Sequence, residues 1–222
     1  MSYAGPLLMK WFGGGEKPRP RETAPAGAAS RLSRRSTGLA EFTRLLSDKE
    51  SASVLDLGPT SPANISFLTG FGGRVCNEDI VHASREPRYL VKQPDGSLLL
   101  DPRKFFAENL SQPEEQFDAV LCWDVADYLT EPLVKPLVER LSHLLKPKGV
   151  LLAFFHTKEA GPESPPARYH IISGEVLDLE PRHDLRLQRV FNNRHVENLF
   201  KGFSSLKFFL ARDNVREVLA IR

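Results

Sequence analysis

Cysteine is nearly absent. Only Cys76 and Cys122 occur in 222 residues, far apart and each in an apolar stretch. That excludes a disulfide framework and reads as two buried thiols of a reduced compartment. Long hydrophobic runs are missing too, none approaching the ~18 apolar residues that cross a bilayer. The Leu7-Leu8-Met9 patch is too short for the core of a signal peptide and has no basic segment before it. Glycine and proline, at 15 and 17 residues, are too few for a collagen-like or wholly disordered chain. There is no Gly-x-Gly-x-x-Gly, no Gly-Lys-Ser/Thr phosphate loop, no Ser-His-Asp grouping and no repeat of about 20–50 residues. The six histidines show no ligand spacing with the cysteines, which argues against a zinc site. A soluble, cytoplasmic protein is the expectation.

What is present suffices for one domain with a tail or an insert: 41% hydrophobic and 26% charged residues. The net charge of +2 hides a division. Residues 1–35 carry seven basic side chains against Glu16 and Glu22, so the remainder is net negative. A negative globular part argues against a nucleic-acid face. The basic tail is left as a contact for a partner or a membrane surface. Rich in Gly, Ala, Pro, Ser and Arg and without periodicity, residues 1–35 are expected to be disordered.

From Ser36 the pattern changes. Leu39, Phe42, Leu45 and Leu46 recur at helical spacing. Ser53 to Leu57 reads as a buried strand broken by Gly58-Pro59, and Ser61-Pro62 as a helix start. Gly73 to Asn77 and Ser97 to Leu100 are two further strands. Phe117 to Asp124 is a near-continuous apolar strand of the parallel-sheet kind. Leu133, Leu137, Leu141 and Leu144 mark a helical face, followed by the apolar strand Val150–Phe155. Strands alternating with helices at this spacing predict an α/β fold with a Rossmann-like, doubly wound, mostly parallel sheet. The end differs: Leu206–Ala211 and Val215–Ile221 are too close for a helical crossover and must form an antiparallel hairpin. Residues 157–191 form an insert between them and the last parallel strand.

In an open parallel sheet, ligands bind beyond the carboxyl ends of the strands. The polar residues at those ends are Asp56 with Gly58, Glu78 with Asp79, Asp101, Trp123 with Asp124, and His156. Glu78 follows Gly58 by 20 residues, a nucleotide-site separation in which the second acid takes ribose hydroxyls. Each has a plain structural alternative: Asp56, Glu78, Asp79 and Asp101 as turn or helix caps, Trp123 and His156 as core.

With Val54-Leu55-Asp56-Leu57-Gly58, Phe117 to Asp124, and Leu144-Leu145-Lys146-Pro147-Lys148-Gly149-Val150 in that order, residues 36–222 resemble the class I (Rossmann-like) S-adenosylmethionine-dependent methyltransferases. The resemblance implies a seven-stranded sheet with the C-terminal hairpin, S-adenosylmethionine as cofactor, and a small-molecule or protein methyl acceptor. It implies that Asp56, Gly58, Pro59 and Thr60 lie near the cofactor and that Glu78 or Asp79 holds its ribose. Asp101 is then near the adenine, and Trp123-Asp124 faces the methionine end. Asp124 and His156 are the candidate proton acceptors. Thr60 and Pro62 stand where the family's second and third loop glycines would be, and Lys148 replaces another glycine. That leaves a non-catalytic binding or scaffold protein of the same fold as the alternative.

Overall fold

The computed structural model describes Met1 and residues 32–158, 166–210 and 213–222. The expectation of disorder and of a partner contact in the tail therefore lies, for residues 2–31, outside the described residues. The last four residues of that tail depart from it: β1 (Leu32–Arg35) is a strand.

Helix α1 (Thr37–Ser47) begins where Ser36 accepts a hydrogen bond from the Leu39 amide at 3.0 Å, and it buries Leu39, Phe42 and Leu46. The alternating elements follow: β2 (Val54–Asp56), α2 (Pro62–Thr69), β3 (Val75–Asn77) and α3 (Ile80–Ala83). After β4 (Leu90–Lys92), β5 (Leu98–Leu100) and α4 (Pro102–Glu108) come β6 (Phe117–Trp123), α5 (Val125–Tyr128), α6 (Glu131–Leu144) and β7 (Leu145–His156). The insert supplies β8 (Ala167–Ser173) and β9 (Val176–Pro181). The chain closes with α7 (Asn193–Leu199), β10 (Ser205–Leu210) and β11 (Val215–Ile221). None of the described helices is long and apolar enough to cross a membrane.

The main sheet runs β10-β11-β7-β6-β2-β3. The β2–β3, β2–β6 and β6–β7 pairs are parallel, and β11 is antiparallel to β7 and β10. Among the described residues it has six strands rather than seven. The missing one is β5, which pairs antiparallel with β4 in a separate hairpin instead of extending the sheet beyond β3. Gln93-Pro94-Asp95-Gly96-Ser97 lies between β4 and β5, with Gly96 at φ +86°. So short a connection with a glycine in the left-handed region favours the local hairpin over a longer-range parallel pairing.

Successive side chains of a strand point to opposite faces, and both faces of this sheet are covered. Leu55, Val120, Cys122, Leu151, Ala153 and Phe155 pack among Phe105, Leu133, Leu137 and Leu141 of the helices on one side. Val54, Ala119, Leu121, Trp123, Leu152 and Phe154 pack with Leu39, Phe42 and Leu68 on the other, beneath Tyr169 and Ile171 of β8. That double burial is why β6 and β7 are apolar almost throughout. Lys148, which replaces a family glycine, holds φ +63°, a region most side chains avoid.

The insert forms a second, three-stranded sheet in the order β1-β9-β8. It is stitched to the main sheet on the α1 and α2 side. Arg34 of β1 reaches the buried carboxylate of Glu217 on β11, and Asn64 of α2 clasps the β8 backbone at Tyr169 and Ile171. The C-terminal hairpin pairs as expected, from Ser205↔Ile221 to Leu210↔Arg216.

Candidate active site

The carboxyl edge of β2 carries the first group. Leu57 continues the strand direction by donating its amide to Leu121 O at 2.9 Å, and the chain then turns through Gly58 and Pro59. Ser61 caps α2 by accepting from the Asn64 amide at 3.3 Å. Its hydroxyl also lies 2.9 Å from Nδ1 of His170 on β8.

Asp56 is 1% exposed and fully engaged. Its Oδ1 accepts from the Trp123 indole at 2.6 Å, and its Oδ2 from the Asn64 amide group at 3.1 Å. Burial pushes its pKa up, against the indole, the Asn64 amide and the Gly58 peptide, which all favour the anion.

Trp123 ends β6 with φ +48°. Its indole stacks on Tyr169 with 5.2 Å between centroids and 9° between planes, and meets Phe154 edge-on at 5.6 Å. The indole also lies over the loop glycine: a methyl placed on Gly58 would come within 3.3 Å of Trp123 Cδ1. Glycine at 58 thus serves a close approach, and what approaches is the protein's own indole.

Asp124 is 5% exposed. It accepts hydrogen bonds from the hydroxyls of Tyr128, at 3.1 Å, and Tyr169, at 2.9 Å. Burial raises its pKa, opposed by nearby His156 and by the two tyrosines. A few residues on, Asp127 accepts from both the peptide and the ring Nδ1 of His156, at 2.7 and 2.9 Å. Burial lifts the Asp127 carboxyl to about 6, in spite of those bonds.

The small cavity at this edge holds about 40 Å³ of free space, room for a few water molecules. Gly58, Pro59, Asp79, Trp123, Asp124 and Tyr169 are in its wall. The other expected residues lie elsewhere. Glu78 turns away and accepts from the Leu110 amide at 2.9 Å and from the Gln112 side chain. Of the two neighbouring acids it is Asp79 that lines the cavity, while also capping α3 through the His82 amide at 2.9 Å. Thr60 is exposed, with its hydroxyl on Asn77 at 2.6 Å. Asp101 caps α4 through the amides of Arg103 and Lys104, the structural alternative weighed for it.

His156 is 1% exposed and sits outside the cavity wall, so its ring has no route to a substrate in this arrangement. It is better described as a buried partner of Asp127. Burial works against its charged form, but the Asp127 hydrogen bond and the Asp124 and Asp127 charges outweigh it, and its pKa is raised. A histidine with a raised folded pKa stabilises fully below the unfolded value of about 6.5 and loses that contribution as pH climbs through the folded value. In an NMR titration the His156 ring should therefore stay protonated above pH ~6.5. The wild-type denaturation midpoint should fall across that window by more than that of His156→Gln. A ring that titrates below the ordinary histidine value would refute this.

Sequence reasoning missed Asn64, Tyr128 and Tyr169. Tyr128 follows Asp124 by four residues, a spacing that places both on one side of a helical turn. Tyr169 reaches the site only through the folding back of the insert.

The methyltransferase-domain family matches residues 31–203. No curated protein matches the chain. Among solved structures, one similar to this chain is the 1,6-didemethyltoxoflavin-N1-methyltransferase of Burkholderia thailandensis, bound to 1,6-didemethyltoxoflavin and S-adenosylhomocysteine. It is 16% identical, covering 84% of this chain and 78% of its own, with a TM-score of 0.47. A SAM-dependent methyltransferase from Archaeoglobus fulgidus is 11% identical over 83% and 92%, TM-score 0.48. One from Methanosarcina mazei is 16% identical over 78% and 93%, TM-score 0.44. With well over half its length matched, and with α/β topology and a C-terminal antiparallel hairpin, the chain belongs to the methyltransferase-domain family.

Proposed function

We propose that this chain transfers a methyl group from S-adenosylmethionine, the cofactor of its family, to a small-molecule or protein acceptor at the carboxyl edge of β2 and β6. The observation that carries the reading is the cavity's place. It lies beyond the ends of those strands, where α/β sheets bind ligands, with Gly58-Pro59, Asp79 and Trp123-Asp124 gathered in its wall. In this reading Asp79, not Glu78, is the acid for the ribose, because the Glu78 carboxylate is already held by Leu110 and Gln112. Asp124 is the acid facing the acceptor, and His156 positions Asp127 behind it.

As placed, these residues do not fit the cofactor. About 40 Å³ is free, whereas ligand sites of that class run to ~300 Å³ or more. The same closure favours the second reading, a non-catalytic binding or scaffold member of the family.

Calorimetric titration with S-adenosylhomocysteine separates the two. Methyl transfer predicts micromolar binding, weakened at least about tenfold by Asp79→Asn. That substitution removes the charge but keeps a capping oxygen for α3. Glu78→Gln should leave the affinity within about threefold. No heat from the wild-type chain or from Trp123→Phe, both still unfolding cooperatively, would hand the chain to the scaffold reading.

A further inference from the structure

The disagreement between cavity and cofactor has a single side chain at its centre. The Trp123 indole takes the space over Gly58, uses Oδ1 of Asp56 through its N–H, and is backed by the parallel ring of Tyr169. An ordinary core tryptophan has no need of a buried carboxylate, nor of a glycine that lets it approach a loop. It also has no need of left-handed backbone, which bulky residues adopt only when their surroundings impose it. Asp56, for its part, is a buried acid whose ordinary form is disfavoured by burial and which the indole N–H supports. The arrangement is that of a ligand site with an internal occupant: hydrogen-bond donor, flat aromatic ring and aromatic stacking partner are all supplied by the chain.

We propose that the Trp123 indole is the resident occupant of the pocket, and that an adenosyl ligand binds only by displacing it from Gly58 and Asp56. This rests on the methyltransferase reading and sets its affinity. Bound ligand must replace the indole's hydrogen bond to Asp56 and its stack on Tyr169, so the measured affinity is the intrinsic one reduced by the fraction of molecules with the indole withdrawn. Because Tyr169 belongs to the insert, the hairpin β8–β9 would help set how often the pocket is free.

The test uses the two-tryptophan content of the chain. Trp11→Phe leaves Trp123 as the sole indole. Titration of that protein with S-adenosylhomocysteine should shift its emission to the red and expose it several-fold more to acrylamide, with the same midpoint as the calorimetric heat. In a separate protein, Trp123→Phe keeps a ring against Tyr169 but loses the N–H to Asp56. It should bind S-adenosylhomocysteine about tenfold more tightly, the low end expected for a lost hydrogen bond to a charged group. Binding heat with unchanged Trp123 emission, or a Trp123→Phe affinity equal to or weaker than wild type, would overturn the resident occupant and leave the methyltransferase reading standing. No heat from either protein, both still unfolding cooperatively, would overturn the methyltransferase reading and this proposal with it.

Discussion

Gly73→Ala should cost about 4 kcal/mol or more, at the far end of what single substitutions do. A methyl on Gly73 would fall well inside the van der Waals radii of the Ala52 carbonyl oxygen, carbon and nitrogen. These are backbone atoms, which cannot rotate away as the end of a side chain would. Strand β3 would have to draw back from β2, losing the 2.8 Å bond from the Val54 amide to Arg74 O that opens their pairing. The effect would not stay local. Asn77, at the other end of β3, donates to the carbonyls of Asp56 and Gly58 at 3.0 and 2.8 Å, so the loop beside the cavity would move as well. Gly202 supplies the control, since a methyl there meets nothing within 4 Å. Gly202→Ala should stay within about 0.5 kcal/mol of wild type. Urea denaturation of both chains decides it, and a Gly73→Ala loss under about 1 kcal/mol would refute the backbone clash.

The second large effect lies on the buried ion pair behind the insert. Arg34, with 7% of its side chain exposed, meets Glu217, with 1% exposed, and lies 3.1 Å from Asp213. Its guanidinium also stands 5.3 Å from the centre of the Phe154 ring. Glu217 in turn accepts from the Gly38 amide at 2.6 Å, at the start of α1. Removing one partner of a buried pair leaves an uncompensated charge, so Arg34→Ala should lose about 3–5 kcal/mol. Replacing both residues by leucine should cost much less than that, because neither charge is then stranded. The sign with pH follows from the carboxyl. Burial already raises the pKa of Glu217 against the pull of Arg34, and without Arg34 it rises further. The folded state then holds a proton that the unfolded chain has released above about pH 4.5. The Arg34→Ala loss should therefore be greater at pH 8 than at pH 5. Equal losses at the two pH values would mean that Glu217 finds another partner.

Much of the framework was legible in the sequence because it repeats locally. The spacing of Leu39, Phe42 and Leu46 marks α1, and the runs of apolar residues in β6 and β7 mark strands buried on both faces. β1 was not legible. Leu-Ser-Arg-Arg is polar and charged, and it is a strand only because Val176–Leu179 offers it an edge and Glu217 a counter-charge. The partner of β5 was legible in principle, since Asp95-Gly96 lies between Leu90-Val91 and Leu98-Leu99-Leu100, but the family pattern pointed to the main sheet. At the site, the strand ends pointed to Gly58, Trp123 and Asp124, which line one cavity, and to Asp56, which is bonded to the Trp123 indole rather than lining it. Choosing between Glu78 and Asp79 required the direction in which the backbone turns into α3. Discounting His156 required knowing that α5 covers it, which no local spacing records.

The three-stranded sheet of β1, β9 and β8 joins the two ends of the story in time as well as in space. Leu32 pairs with Leu179 and Arg35 with Val176, so a strand near the start of the chain waits for one made after most of the chain has been synthesised. Closing so long a loop is slow, and its entropy must be met before the contacts it permits can form. Arg34 meets its counter-charge later still, when β11 is complete. On a growing chain the strands β2, β3, β6 and β7 can assemble first. Tyr169 settles on Trp123 only when the hairpin that carries it docks. In order of synthesis the wall of the pocket is therefore completed late, because Tyr169, Arg182 and Leu185 follow all the parallel strands of the main sheet.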